Sequence, residues 1–434
     1  MRDTLAVTLI AACVCMAVFH PWIGIMGWTL ISIMNVHRFA WAAAGLPVAA
    51  AIAIATFIGM LMTRDRIQIF ITPTMAVFAA FVLWMCITLP FSIYYTQSYM
   101  LWSRVMKIDL MIFVALMVLH SRLHIMTLVW VLVVSLGFYG VKGGIFTLAT
   151  GGNYLVWGPA GSFIEGNNEL ALALVMTIPL MRFLQMQYKQ RWIRHGLTVA
   201  MLLSAIAALG THSRGALLAI VAMAIVLWSR TTHKVASATL LILLGFVLIA
   251  FMPGQWADRM ESILNYEQDP SAMGRINAWW MAWNLANDRL LGGGFEIARF
   301  SVFAQYAPIP TAIHAAHSIY FQVLGEHGFV GLALFMLLWL MVWFSAGWLR
   351  KNGRKQPESA WTTDLGSMIQ ASIAGYAVGG AFLSLAYFDL PYNLILLVII
   401  TRRWVESKAW ESELGGVPAS GPARPPPIST PSRT

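Results

Sequence analysis

The chain has 434 residues, 59% of them hydrophobic and only 11% charged, and carries a formal net charge of +10. Soluble domains are roughly 25% charged, so this composition excludes an ordinary soluble enzyme and describes a membrane protein. The basic excess does not indicate nucleic-acid binding, because the Lys and Arg residues sit in short clusters between apolar runs, as positive-inside topology signals do.

Apolar stretches of about 17 to 25 residues recur along the chain, each long enough for a hydrocarbon core of about 30 Å. Residues 4–36 hold two apolar pieces broken at His20-Pro21, where proline disfavours an uninterrupted helix. With Arg2 inside and no small-residue cleavage site, this region reads as one retained net crossing. Cys13, Cys15 and Cys86 lie inside apolar segments without metal-ligand spacing or a disulfide partner, and read as packing residues.

The next spans are expected at about 40–62, 70–92, 103–120, 123–141, 167–185, 193–210, 214–230, 235–252, 328–349, 365–386 and 390–403. Basic clusters place alternate connections inside: Arg64 and Arg66; Arg122; Arg182 to Arg194; Arg230 and Lys234; Arg350 to Lys355; and Arg402, Arg403 and Lys408. With Arg2, Arg424 and Arg433 they account for 19 of the 28 Lys and Arg residues. The expected architecture is all-α: a polytopic integral membrane protein of about twelve transmembrane helices occupying residues 1–403. Its longest outer loop, 253–316, exceeds a simple turn and should contain short helices. Residues 404–434 form an inner tail, rich in Pro, Gly and Ser from Gly415 on and expected to be largely disordered.

Four polar groupings fall on the outer face. In "SFIEGNNELALAL", Asn167, Asn168 and Glu169 open a span; an Asn there caps the helix by accepting from its free N–H groups, or else hydrogen-bonds a sugar. In "THSRGALLAI", Arg214 occupies a very short outer turn. A guanidinium at membrane depth either serves function or snorkels to headgroups, and beside a helix N-terminus it makes an anion site. In "SAMGRINAWWMAWNLANDRLLGGGFE", Arg275 precedes Ala278, Trp279, Ala282 and Trp283, an amphipathic spacing suited to interfacial anchoring, while the glycines at 292–294 allow a bend or close backbone approach.

The fourth grouping, "HSIYFQVLGEHGFVGL", begins at His317 and Ser318 as a short outer helix ahead of a span starting near Gly328. An imidazole at a helix N-terminus is biased toward its neutral form and can accept a proton; the plainer reading is an interfacial His hydrogen-bonded to backbone. Gly325, Gly328 and Gly331 answer a packing need where the short helix meets the span.

Two outward arginines suit a pyrophosphate, and a base beside them can activate a hydroxyl, which together predict group transfer from a diphosphate-linked lipid donor. Neither a cofactor nor a metal is expected: Glu267 and Asp269 in "NYEQDP" are the only closely spaced outward acids and read as a solvated loop. An anionic-lipid transporter would also line its path with arginines, but transporters place charge near the midplane of repeated halves, and no repeat is evident.

"HS", nine residues, then Gly328, Phe329, Val330 and Gly331 match the H-[NSQ]-x9-G-x-x-G pattern of O-antigen ligases. The "SRG" turn, the "GR" with downstream Trp, "NNELALAL" and the long outer loop extend the resemblance over most of residues 150–335. The chain thus resembles the O-antigen ligase/polymerase superfamily. The resemblance implies a bacterial inner-membrane enzyme with its site facing the periplasm. It would move glycan from undecaprenyl pyrophosphate to a sugar hydroxyl of lipid A-core, without metal and with inversion. It also implies that Arg214 and Arg275 bind pyrophosphate and that His317 is the base; Asn167, Asn168 and Ser318 are candidate glycan or acceptor contacts. "GSFIEGNNELALAL" is similar to a branch of O-glycosylation ligases. Protein O-oligosaccharyltransferases and O-antigen or exopolysaccharide polymerases, which share the donor, therefore stay open as alternatives.

Overall fold

Each expected apolar run forms a helix in the computed structural model, which describes residues 2–35, 47–63, 67–231, 233–254, 256 and 270–414. Among these residues the structure is all-helical, without strands. Helices α1 (Arg2–Phe19) and α2 (Pro21–Met34) are divided at His20, with Pro21 starting α2 where its missing N–H costs nothing. Then come α3 (Val48–Met62), α4 (Pro73–Thr88), α5 (Tyr95–Val118), α6 (Arg122–Ala149), α7 (Asn167–Gln187), α8 (Arg191–Gly210), α9 (Arg214–Arg230) and α10 (Lys234–Phe251). The expected long loop holds α11 (Pro270–Asp288) and α12 (Phe300–Tyr306), and the chain continues through α13 (Ile319–Asn352), α14 (Ala360–Gly380), α15 (Asp389–Glu406) and α16 (Trp410–Leu414). Glu267 and Asp269 lie outside the described residues, as does the Pro-rich end from Gly415.

Six helices among the described residues are long and apolar enough to cross a membrane: Pro73–Phe91, Arg122–Ala149, Asn167–Gln187, Arg191–Gly210, Lys234–Phe251 and Ile319–Lys355. Three further apolar helices are shorter, Ile10–Phe19, Pro21–Met34 and Val48–Met62. The remaining long helices are less apolar for a physical reason. Helices α14 and α15 bury Thr362, Gln370, Ser372, Asp389, Asn393 and Thr401 inside the bundle, where protein rather than lipid is their solvent.

The centre of the bundle is α7 and α15. Residues 170–176 of α7 and 394–400 of α15 are buried on every side, as an all-round apolar helix requires. Ser372 on α14 donates to the Met176 carbonyl at 2.7 Å, one turn ahead of Pro179, and pins α14 to α7. Helix α10 is the opposite case: none of its described residues is buried and Val235, Ile242 and Phe246 are more than two-thirds exposed, the surface of an apolar rod suited to hydrocarbon.

Helix α13 is not one straight rod. Gly328 has φ 68° and ψ −172°, which breaks it into a short segment, 319–327, and the span beyond. A break strands the carbonyls of the last turn, and here each finds a donor. Gly293 N–H donates to the Gly325 carbonyl and Gly294 N–H to that of Glu326, both at 2.9 Å, and Trp84 Nε1 donates to the His327 carbonyl at 2.9 Å. The approach works only without side chains: a Cβ on Gly328 would stand 2.1 Å from the Leu290 carbonyl oxygen, and one on Gly292 2.7 Å from the Glu326 carbonyl. The expected packing role of these glycines is what the structure displays, and 292–294 approaches this break.

Gly328→Ala should therefore destabilise the protein by at least about 2 kcal/mol, from a left-handed backbone and a clash with a fixed carbonyl. Gly245→Ala on α10, where an added Cβ meets nothing within 4 Å, should be neutral. Thermal unfolding midpoints of both variants in detergent check the contrast.

Candidate active site

One end each of α7, α8, α9, α11, α13 and α14 contributes to the candidate site. Helix α7 starts at Asn167, after Gly166 in an extended N-cap conformation. Asn167 is already helical and so does not cap its own helix as expected; its amide donates to the Thr211 carbonyl at 2.8 Å and ties α7 to the turn before α9. That turn is tight: His212 has φ 55° and its Nε2 lies 2.8 Å from the Gly152 carbonyl. Ser213 then caps α9 by accepting from Ala216 N–H at 3.2 Å. Arg214 is the first residue of α9, half-buried at the helix N-terminus as the sequence suggests.

Helix α11 is amphipathic, with the polarity of its faces set by packing. Gly274, Ala278, Met281, Ala282 and Leu285 are buried, while Trp280 and Trp283 are about half exposed and suit an interface. Trp279 does not anchor the helix outward. It stacks flat on Phe321 of α13, centroids 5.1 Å apart, and its Nε1 donates to the Ala316 carbonyl at 2.7 Å. Asn277, buried, donates to the carbonyls of Ile309 and Ala312 at 2.9 and 3.0 Å and accepts from Ile309 N–H at 2.9 Å. One helix face thus clamps the whole approach to His317.

His317 precedes α13, with Ser318 as the N-cap and Ile319 the first helical residue. Its φ of 41° places it in the left-handed region, at a cost of about 1–2 kcal/mol for a residue with a Cβ. Its Nδ1 is 3.7 Å from Oε1 of Glu169 in the first turn of α7, beyond hydrogen-bond range but within ion-pair range. The His314 ring meets the His317 ring edge-on at 5.1 Å, in space left by Gly274. Arg275 acts electrostatically on both His317 and Glu169, so the three residues share one neighbourhood.

Burial, then the Arg275 guanidinium, then His314 lower the His317 imidazole from 6.5 to about 4. Burial, rather than the helix end that the sequence suggests, is the main cause. Glu169, 3.7 Å from Nδ1, makes no hydrogen bond to the ring. At neutral pH His317 is therefore uncharged and able to accept a proton.

Arg214 reaches the same end of the bundle through its helix. A Cβ on Gly215 would face Phe382 after α14 at 3.3 Å, and Phe382 in turn lies 6.5 Å from the Trp279 ring. Of the three candidate sugar contacts, Asn168 is half-buried, whereas Asn167 and Ser318 are buried in the scaffold. Sequence spacing assigns Glu169 and Asn277 no site role and Trp279 only interfacial anchoring: an acid in a first helical turn signals only a favourable dipole. Among the described residues no group of three or more His, Cys, Asp or Glu side chains is placed to hold a metal ion.

Residues 199–336, which hold Arg214, Arg275 and His317, match the family model described as O-antigen ligase. That match supports membership of the O-antigen ligase superfamily. Residues 1–189, which supply Asn167 and Glu169, match a second model described as a family of unknown function. The candidate site is thus built across both matched regions. No curated protein matches the chain. The matched family implies ligase- or polymerase-type glycosyl transfer, lipid-linked glycan substrates and a membrane setting.

The clamp on α11 can be tested separately from the chemistry. Asn277→Ala leaves two carbonyls and one N–H without their present partner, a loss of about 1–3 kcal/mol. Amide exchange should accelerate across residues 307–316 and stay unchanged in the middle of α7, as hydrogen–deuterium exchange mass spectrometry can resolve.

Proposed function

We propose that this superfamily member ligates O-antigen glycan from undecaprenyl pyrophosphate onto a sugar hydroxyl of lipid A-core, at the periplasmic face of a bacterial inner membrane. The observation that carries the reading is the approach of His317 Nδ1 to Glu169 Oε1 at 3.7 Å at one end of the bundle, with Arg275 near enough to act electrostatically on both. In this reading the chain crosses the bilayer about twelve times through residues 1–403, its 253–316 loop is periplasmic, and residues 404–434 are cytoplasmic.

The chemistry follows from the groups. With the Nδ1 proton of His317 turned toward Glu169, the Nε2 lone pair accepts the proton of the acceptor hydroxyl. The freed oxygen attacks the anomeric carbon as its bond to pyrophosphate breaks, and displacement from the opposite face inverts that centre. The leaving pyrophosphate takes its compensating charge from Arg275 and from Arg214 at the α9 N-terminus. Nothing in this scheme requires a metal or a cofactor. Asn168 is the proposed sugar contact, while Asn167 and Ser318 position the two helix starts.

His317→Ala and Arg275→Ala should each lower transfer by at least 100-fold without loss of folded protein, and Glu169→Gln by about 10-fold. For a base with a pKa of about 4 in the free enzyme, the active form is the unprotonated one. The His317-dependent part of kcat/KM should therefore be level above about pH 5 and fall as the pH passes downward through 4. Near-normal turnover of both alanine variants would overturn the mechanism.

The acceptor is decided by incubating full-length protein, in chelator, with an undecaprenyl-pyrophosphate glycan and either rough lipopolysaccharide or a Ser/Thr-containing periplasmic protein. A ladder on lipopolysaccharide alone supports the ligase. Glycan on the protein would move the activity to protein O-oligosaccharyltransferase, and lengthening of the donor glycan itself would move it to polymerase.

A further inference from the structure

At the other end of α7, about four turns from Glu169, the structure has a cavity of about 430 Å³ lined by Arg182, Gln185, Tyr188, Lys189, Arg194 and Asp364. Positive-inside topology requires only that basic residues be exposed near a span end. It does not require three of them to line a single open cavity, as the exposed Arg182, Lys189 and Arg194 do.

The walls are organised by hydrogen bonds. Gln185, buried in the last turns of α7, accepts from Arg182 Nη1 and donates to the Arg194 carbonyl at 3.2 Å and to Thr198 Oγ1 at 2.6 Å, which joins α7 to α8. Tyr188 is held by Trp130, whose Nε1 donates to its hydroxyl at 2.8 Å. The one acid, Asp364 on α14, accepts from Gln187 Nε2 at 3.1 Å and feels both Arg354 and Arg182. With Asp364 so balanced, Arg182, Lys189 and Arg194 leave the cavity with positive charge in excess.

One apolar side chain of the lining is open, and a second lies at the same end of the bundle. Met186 lines the cavity and is 43% exposed, and Trp192, outside the lining in the first turn of α8, is 76% exposed. A basic cavity bordered by exposed apolar side chains at a span end suits a molecule with a phosphate at one end and hydrocarbon at the other. Free phosphate would use the arginines but leave Met186 and Trp192 without a partner.

We propose that this cavity is a binding site for the phosphodiester headgroup of an anionic glycerophospholipid, distinct from the transfer site and at the opposite end of α7. Arg182 and Arg194 supply the guanidinium contacts, Lys189 a further charge, and the lipid chains lie along the surface marked by Met186 and Trp192. The site stands whichever glycan acceptor the transfer site uses.

The test uses delipidated full-length protein in detergent, titrated separately with phosphatidylglycerol, phosphatidylcholine and inorganic phosphate, and read by native mass spectrometry and thermal midpoint. One retained phosphatidylglycerol per chain and a raised midpoint are expected for the wild type, with neither phosphatidylcholine nor phosphate matching them. Arg182→Gln/Arg194→Gln should weaken retention at least 10-fold, Arg182→Lys/Arg194→Lys should restore most of it, and Lys408→Gln, outside the cavity, should change nothing. Equal retention by the Gln variant would overturn the site, and an equal effect of inorganic phosphate would overturn its assignment to lipid. If the Gln variant does not fold, the Lys variant and the wild-type lipid comparison still decide the matter.

Discussion

A helix broken inside an apolar bundle strands carbonyl groups that no water can reach, and the repair of that break at Gly328 sets the geometry of the site end. Three donors from two remote stretches of chain satisfy the freed carbonyls: the amides of Gly293 and Gly294, and the indole of Trp84. Because the repair uses backbone from the loop after α11, it fixes α11 against the short first segment of α13. That placement lets Asn277 and Trp279 clamp the segment ending at His317. The imidazole is thus positioned by helices, although it sits on a loop, which is how a connecting segment acquires the precision that chemistry needs.

The electrostatics of the site follow from the same arrangement. Glu169 belongs to α7, one of the two helices at the centre of the bundle, Arg275 to α11, and His317 is the strained residue just before α13. None of the three needs the others for its local structure; their meeting is a property of the tertiary fold. Arg275 sits between two demands, offsetting the Glu169 carboxylate and discouraging a charge on His317. An anionic donor entering beside it would weaken both effects at once, so the free and the loaded site differ in proton affinity without any movement of backbone.

Much of this was readable from the sequence where local chemistry decides the outcome. The start of α9 at Arg214 follows from "THSRG", in which Ser213 is a good cap, and the break at Gly328 follows from glycines at a spacing that a continuous apolar helix does not need. The start of α7 was also readable, but the use made of Asn167 was not, because its partner Thr211 lies 44 residues away. Nor was Glu169 distinguishable from an ordinary first-turn acid. Helices α14 and α15 fell short of membrane hydropathy because they are enclosed by protein, and hydropathy measures only the suitability of a segment for lipid. The three site groups come from separate parts of the chain, and no spacing rule within one segment could join them.

The left-handed conformation of His317 separates what the fold prefers from what the proposed reaction asks. Glycine is the residue that this backbone would accept most readily, so the imidazole is kept against a local preference worth about 1–2 kcal/mol. Selection for stability alone would erode this position, whereas selection for turnover would hold it. A protein of this fold that had lost its activity could therefore be sturdier than the active one, and vigour of expression would be a poor guide to whether a relative still transfers glycan.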